Sequence, residues 1–125
     1  MIAVLTVACG GALGAVARYL LAGALHRMVP GTFPIGTVAV NILGSFLVGA
    51  LAGVFAARQG QSPHTVQLLL VTGFCGGFTT FSALSLETVR LIQGGAADTA
   101  LVSVAVQLGA GLAATVFGLW LVRSL

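Results

Sequence analysis

Charged residues are so few and so widely spaced in this 125-residue chain that they act as punctuation. It holds five arginines, no lysine, one aspartate and one glutamate. A water-soluble domain carries roughly 25% charged residues on its surface. With 58% hydrophobic residues and 18 glycines besides, a water-facing globule is excluded, and so is a disordered chain. Lipid is the solvent that fits. Uncharged runs cover 28–57 between Arg27 and Arg58, 59–86 between Arg58 and Glu87, and 99–122 between Asp98 and Arg123. A helix needs about 20 apolar residues to cross the hydrocarbon core, so each run holds one span. The first 27 residues hold another, interrupted only by Arg18.

The expected fold is therefore all-α and integral to the membrane: a single domain of four helices over about 2–26, 34–57, 66–93 and 98–122. Pro30, Gly31 and Pro34 mark the first turn, Gln59 to Pro63 the second, and Gly94, Gly95 and Asp98 the third, with Asp98 as N-cap of the fourth helix. Period-2 segments of an outer-membrane barrel are absent, which leaves a bundle of the inner or plasma membrane type. Met1 onward lacks the basic region and cleavage site of a signal peptide, so the first span reads as mature. The net charge of +3 comes from scattered arginines rather than a basic face, so no nucleic-acid partner is expected. Cys9 and Cys75, without CxxC or metal-spaced His, read as small buried hydrophobes. His26 and His64 fall near span ends, where solvated histidine is ordinary. With no carboxylate pair and no Ser/His/Asp set, an enzyme is not expected.

Arginine counts on the two sides normally orient a helical membrane protein. Here the N-terminus, second loop and C-terminus share a side with Arg58 and Arg123. The other side has Arg27 and Arg90, with Arg18 able to snorkel the same way. So close a balance predicts insertion in both orientations and an antiparallel, dual-topology homodimer, in which two copies make the inverted repeat that larger transporters carry in one chain. GxxxG spacing in Gly10/Gly14, Gly49/Gly53 and Gly73/Gly77 reads as close helix packing.

Two spans carry narrow polar lines: Thr37, Asn41 and Ser45 in the second, and Ser103, Gln107 and Thr115 in the fourth, with Gly111 in the missing place. Such lines serve as hydrogen-bond glue between helices or as the wall of a pathway, and two of them in so small a chain favour a pathway. The third span reads Thr-Gly-Phe-Cys-Gly-Gly-Phe-Thr-Thr-Phe-Ser over 72–82. Paired glycines and adjacent threonines weaken helix there, and a break is expected near Gly76 to Thr80. Unwound backbone at membrane depth must face protein or a cavity. Its freed carbonyls suit a cation, and the amide end of a half-helix suits an anion. Phenylalanine ring edges are electropositive and also suit an anion, although Phe74 reads better as packing. Glu87, the only acidic side chain deep enough to matter, is expected to pair with an arginine, with capping of a pore mouth as the other reading. Arg18 either snorkels or draws anions to a vestibule.

These residues resemble a known family. Gly10-Gly11-Ala12-Leu13-Gly14-Ala15-Val16-Ala17-Arg18-Tyr19 is similar to the GGxxGAxxRY signature of the Fluc (CrcB) fluoride channels. Gly36-Thr37 through Val40-Asn41 and Gly44 resembles their second-span GTxxVNxxG. Residues Gly73 to Ser82 resemble their third-span GFxGGxTTFS. The resemblance covers nearly the whole chain. It implies a passive, fluoride-selective channel in a bacterial inner membrane, a dual-topology homodimer with two pores that lowers cytoplasmic fluoride. It also implies a structural Na⁺ at the dimer interface, held by the backbone carbonyls of Gly76 and Thr79. The family's pore asparagine falls on Asn41 and its first pore phenylalanine on Phe81, followed by the Ser82 hydroxyl. The family's TTFSTF is here Thr79-Thr80-Phe81-Ser82-Ala83-Leu84, so Leu84 replaces the second phenylalanine. Leucine has no electropositive edge, and slower conduction is the expected consequence. The family's fourth-span hydroxyl track has no tight motif here, and Ser103 and Gln107 take that place from the helical stripe. A proton-coupled exporter of the small multidrug resistance type shares the four-span, dual-topology layout, but it needs a carboxylate in the first span, where this chain has only Arg18.

The arginine balance has a direct readout. A reporter fused to the C-terminus is expected on both faces of the membrane, and added arginines in the first loop should bias it to one; a reporter confined to one face from the outset contradicts the reading.

Overall fold

The computed structural model describes residues 1–58 and 63–124. Its long helices are α1 (Ile2–Met28), α2 (Ile35–Ala57) and α6 (Ala97–Arg123). The third span is assembled from pieces: α3 (His64–Gln67), a π-helical stretch (Leu68–Cys75), α4 (Gly76–Phe78) and α5 (Phe81–Gln93). With 27, 23 and 27 residues in α1, α2 and α6 at a rise of about 1.5 Å each, every one outreaches a hydrocarbon core of about 30 Å. The segment His64–Gln93 is likewise long and apolar enough to cross.

The connections follow from local chemistry. Pro34 is the N-cap of α2 and Pro63 that of α3, both places where a missing amide costs little. The second predicted turn, apart from Pro63, lies outside the described residues. After α5 the chain closes in a Schellman turn: the Ala96 amide donates to the Leu91 carbonyl at 2.8 Å and the Gly95 amide to the Ile92 carbonyl at 3.1 Å. Gly95 takes φ of 81°, which only glycine adopts without strain. Asp98 departs from its predicted role. The N-cap is Ala96, with no side-chain cap, and Asp98 sits in the first turn of α6. There it interacts with the helix dipole by charge rather than by a cap hydrogen bond.

Glycines decide which helices touch. A Cβ at Gly10 would fall on the Leu69 carbonyl and 3.0 Å from the Phe74 nitrogen, and one at Gly73 would come 2.9 Å from the Gly10 Cα. A Cβ at Gly14 would lie 2.8 Å from the Phe78 nitrogen, and one at Gly77 would fall on the Gly11 carbonyl. So α1 lies backbone to backbone on the π-helical stretch and α4. The same logic joins α2 to α6: Gly49 abuts the Thr115 carbonyl, and Gly118 abuts the Phe46 carbonyl and the Ala50 nitrogen. The Thr115 hydroxyl donates across this seam to the Ser45 carbonyl at 3.1 Å. Lipid gives helices no hydrophobic reason to associate, so this close contact is the source of cohesion.

The interior is correspondingly thin. Val40 and Ser103 are the largest fully buried side chains, while Leu13, Val16, Tyr19, Leu101, Leu112 and Trp120 face outward. Cys75 is buried, as its surroundings suggested, but Cys9 is exposed on the outer face of α1. An outward-facing thiol fits because the solvent on that face is lipid, which penalises a small apolar side chain no more than a core does.

These contacts make glycine substitution position-dependent. Gly14→Ala and Gly118→Ala, which drive a methyl into backbone, should each destabilise the fold by about 1–3 kcal/mol. Gly109→Ala, which meets nothing within 4 Å, should be neutral or slightly stabilising. Thermal unfolding in detergent reads the difference.

Candidate functional site

Between α4 and α5 two residues leave the helix: Thr79 has φ −81° and ψ 157°, and Thr80 has φ −152° and ψ 112°. An extended residue points its N–H and C=O to the same side, so one carboxamide can bracket both, as a neighbouring strand would. Asn41 does this from α2. Its Oδ1 accepts from the Thr80 amide at 2.8 Å, and its Nδ2 donates to the Thr80 carbonyl at 3.1 Å. Gly44, one turn on, makes room, since a side chain there would strike the Thr79 methyl and come 3.1 Å from the Phe78 ring.

The network continues outward from this bracket. The Asn41 Nδ2 also donates to Gln107 Oε1 at 2.6 Å, and Gln107 Nε2 donates to Ser103 Oγ at 3.0 Å. Because the backbone of Thr80 fixes which end of the Asn41 amide faces it, the orientation of Gln107 follows. Both Asn41 N–H groups are thereby committed within the chain. Thr80 also serves α5 as N-cap, its hydroxyl accepting from the Ala83 amide at 3.1 Å and lying 3.2 Å from the Ser82 hydroxyl. On the other side, the Thr79 amide and hydroxyl both donate to the Cys75 carbonyl at 3.0 Å. The Thr80 amide, given to Asn41, is the one that an unbroken α-helix would give to the Gly76 carbonyl.

These groups line a cavity of about 370 Å³, whose wall includes Asn41, Ser45, Gly76, Thr79, Leu84 and Gln107. Phe81 touches it too but is 76% exposed on the outer face of the bundle, whereas Leu84 is 7% exposed. Ser82 is exposed and Ser103 is buried behind Gln107, and neither lines the cavity. Thr80 carried no separate role in the sequence reading. A hydroxyl residue directly before a helical run is a recognisable cap signal, but nothing in the sequence pairs it with Asn41.

Thr37 belongs to a different place than its stripe suggested. Its hydroxyl donates to Glu87 Oε1 at 2.7 Å, beside a second cavity of about 590 Å³ that also touches His26, Phe33, Arg90 and Gly94. The arginine expected to pair with Glu87 does not do so. Glu87 Oε2 is buried with no hydrogen-bond partner, while Oε1 is taken by Thr37 and Arg90, almost one turn further along α5, is exposed. Arg18 is half-buried on α1 and lines neither cavity. The described residues contain no cluster of three or more His, Cys, Asp or Glu suited to a metal.

Comparison with known proteins covers the same ground. The family described as "CrcB-like protein, Camphor Resistance (CrcB)" matches residues 5–119. The fluoride-specific ion channel FluC of Rhizobium etli (strain CIAT 652) is 42% identical over 125 residues, covering 100% of this chain and 99% of the relative. Fluoride-specific ion channel FluC 1 of Nitrobacter hamburgensis is 44% identical over 124 residues, 98% and 96% of the two chains. That of Citrifermentans bemidjiense is 42% identical over 115 residues, 92% of each.

The bracket at Thr80 sets a stability test. Asn41→Leu keeps the bulk but orphans a buried amide and a buried carbonyl, at about 1–3 kcal/mol each, so its unfolding temperature in detergent should fall clearly. Ser45→Ala, whose hydroxyl has no part in the network, should unfold like the wild type.

Proposed function

The chain belongs to the CrcB family, and from that membership we propose that it is a passive fluoride-selective channel of a bacterial inner membrane that lets the cell shed fluoride. The observation that carries this reading is full-length similarity to relatives named fluoride-specific ion channels. The geometry supports it: a helix interruption at membrane depth is stabilised by neutral amides beside a cavity, where an anion could exchange water for N–H groups. No nucleophile, base or redox group is required.

The anion path in this proposal runs along Asn41, Phe81 and Ser82, with Gln107 and Ser103 on the facing helix. Phe81 offers the positive edge of its ring, and Leu84 gives apolar lining where the family has a second ring. Glu87, with Thr37, stands at the second cavity as a vestibule group, where the Arg90 guanidinium shares the lining and favours anions. Arg18, half-buried on α1, serves as a structural charge.

The working unit in this proposal is an antiparallel, dual-topology homodimer in membrane lipid. The near balance of arginines supports it, as does the outward position of Phe81 and Gly76, which leaves both free to meet a second copy. A structural Na⁺ at that interface would take the carbonyls of Gly76 and Thr79. They fit the ion: the Gly76 carbonyl has lost the amide a helix would supply, and a Cβ added at Gly76 would find its nearest neighbour 4.0 Å away. Carbonyl oxygens are the donors a hard cation prefers. The ion would tie the copies together and takes no part in conduction.

The small multidrug resistance type of exporter is not favoured, since the acidic residues are Glu87 and Asp98 and neither lies in the first span. Reconstitution of the purified chain in liposomes is the test. Fluoride efflux indifferent to a pH gradient supports the channel, and pH-driven drug uptake or inactivity rejects it. Leu84→Phe should raise fluoride efflux several-fold over chloride efflux; unchanged fluxes place position 84 off the path. Thr79→Ser keeps the carbonyl and should leave dimer and flux intact.

A further inference from the structure

We propose that the Gln107 carboxamide is a two-state switch on the anion path, turning end over end to convert a self-satisfied amide pair into a two-donor site for fluoride. This rests on the fluoride-channel reading above and supplies its missing donor. Asn41 has two N–H groups, and both are taken: one by the Thr80 carbonyl at 3.1 Å and one by Gln107 Oε1 at 2.6 Å. An anion can reach an Asn41 donor only by displacing one of these oxygens. The Thr80 side cannot yield without orphaning backbone at membrane depth. Gln107 can, because it is a side chain with free torsions and it lines the same cavity as Asn41.

Ser103 makes the turn possible. Its hydroxyl, 1% exposed, now accepts from Gln107 Nε2 at 3.0 Å. A hydroxyl donates as readily as it accepts. When the carboxamide turns about its last torsion, Ser103 reverses and donates to Oε1, so nothing is lost on that side. On the Asn41 side the amide-to-amide hydrogen bond is lost, and Nε2 comes to face Nδ2. Two donors 2.6 Å apart repel, so the turned side chain draws back far enough to seat an acceptor between them. The turned state is therefore stable only with an anion in place, which couples its population to the ligand.

The same coupling discriminates among halides. The anion must replace a short amide hydrogen bond, and a small ion with concentrated charge accepts N–H groups more strongly than chloride does. Gln107 thus acts as an internal competitor that a weak acceptor cannot displace. The closed state keeps every polar atom of the Asn41, Gln107 and Ser103 chain partnered with protein when no anion is present.

The test combines flux with spectroscopy. In wild-type protein in nanodiscs with labelled side-chain amides, sodium fluoride should shift the Nδ2 resonances of Asn41 and the Nε2 resonances of Gln107, and sodium chloride should leave both in place. In liposomes, Gln107→Glu accepts from both Asn41 and Ser103 but offers no N–H, and Gln107→Met offers neither donor nor acceptor. Each should lower fluoride efflux at least about tenfold, the scale of one hydrogen bond to a charged group. Wild-type flux with fluoride-insensitive Gln107 resonances overturns the switch and leaves the channel standing, as do both variants conducting like wild type. A wild type that passes no fluoride overturns the channel reading and the switch with it. Should either variant fail to fold, the wild-type spectra alone decide between turning and static amides.

Discussion

A peptide group freed from its helix inside a bilayer has no water to turn to, and in this protein one asparagine supplies what water would. The bracket of Asn41 on Thr80 lets the third span leave helical geometry for two residues. Other features are consequences. The break frees the Gly76 carbonyl, allows Thr80 to cap α5 and sets the start of the helix that carries Leu84 and Glu87. The same side chain, by reaching Gln107, ties the break to α6.

The bracket requires that helices approach more closely than ordinary side chains permit. Glycine provides that approach twice over. Gly44 admits the Thr79 methyl to α2, while Gly10, Gly14, Gly73 and Gly77 let α1 lie against the backbone of the third span from the other side. The interrupted segment is held between two helices at contact distance, and its polar groups are aimed rather than left to find partners. The cost is a bundle with little interior, whose large apolar side chains face outward. In water that surface would aggregate; in lipid, or against a second copy, it is what the environment asks for.

The chemistry of the site follows from its neutrality. Asn41, Gln107, Ser103, Thr79 and Thr80 carry dipoles and no formal charge, while the charged residues lie elsewhere, Glu87 with Thr37 beside a separate cavity. A full positive charge would bind an anion too firmly to release it, whereas amides and hydroxyls exchange one hydrogen bond for another. Each of these groups also serves the fold, so the structure and the proposed anion path draw on one set of hydrogen bonds.

Sequence was sufficient for whatever depends on sums along the chain. The spacing of the few charged residues marked out four apolar spans, the glycine and threonine content of 72–82 marked the weak place in the third, and GxxxG spacing marked the packing faces. Hydrophobic length and helix propensity are local quantities. Hydrogen-bond partnership is not. Asn41 meets Thr80 across 39 residues and Gln107 across 66, and Thr37 meets Glu87 across 50. For the same reason one polar stripe on α2 served two separate sites, Asp98 proved to be no cap, Cys9 proved to be exposed, and Glu87 took a threonine where an arginine was expected. Which donor serves which acceptor was decided only when glycine contacts set the rotation and depth of each helix, because a hydrogen bond tolerates a few tenths of an ångström and no pattern in one dimension carries that precision.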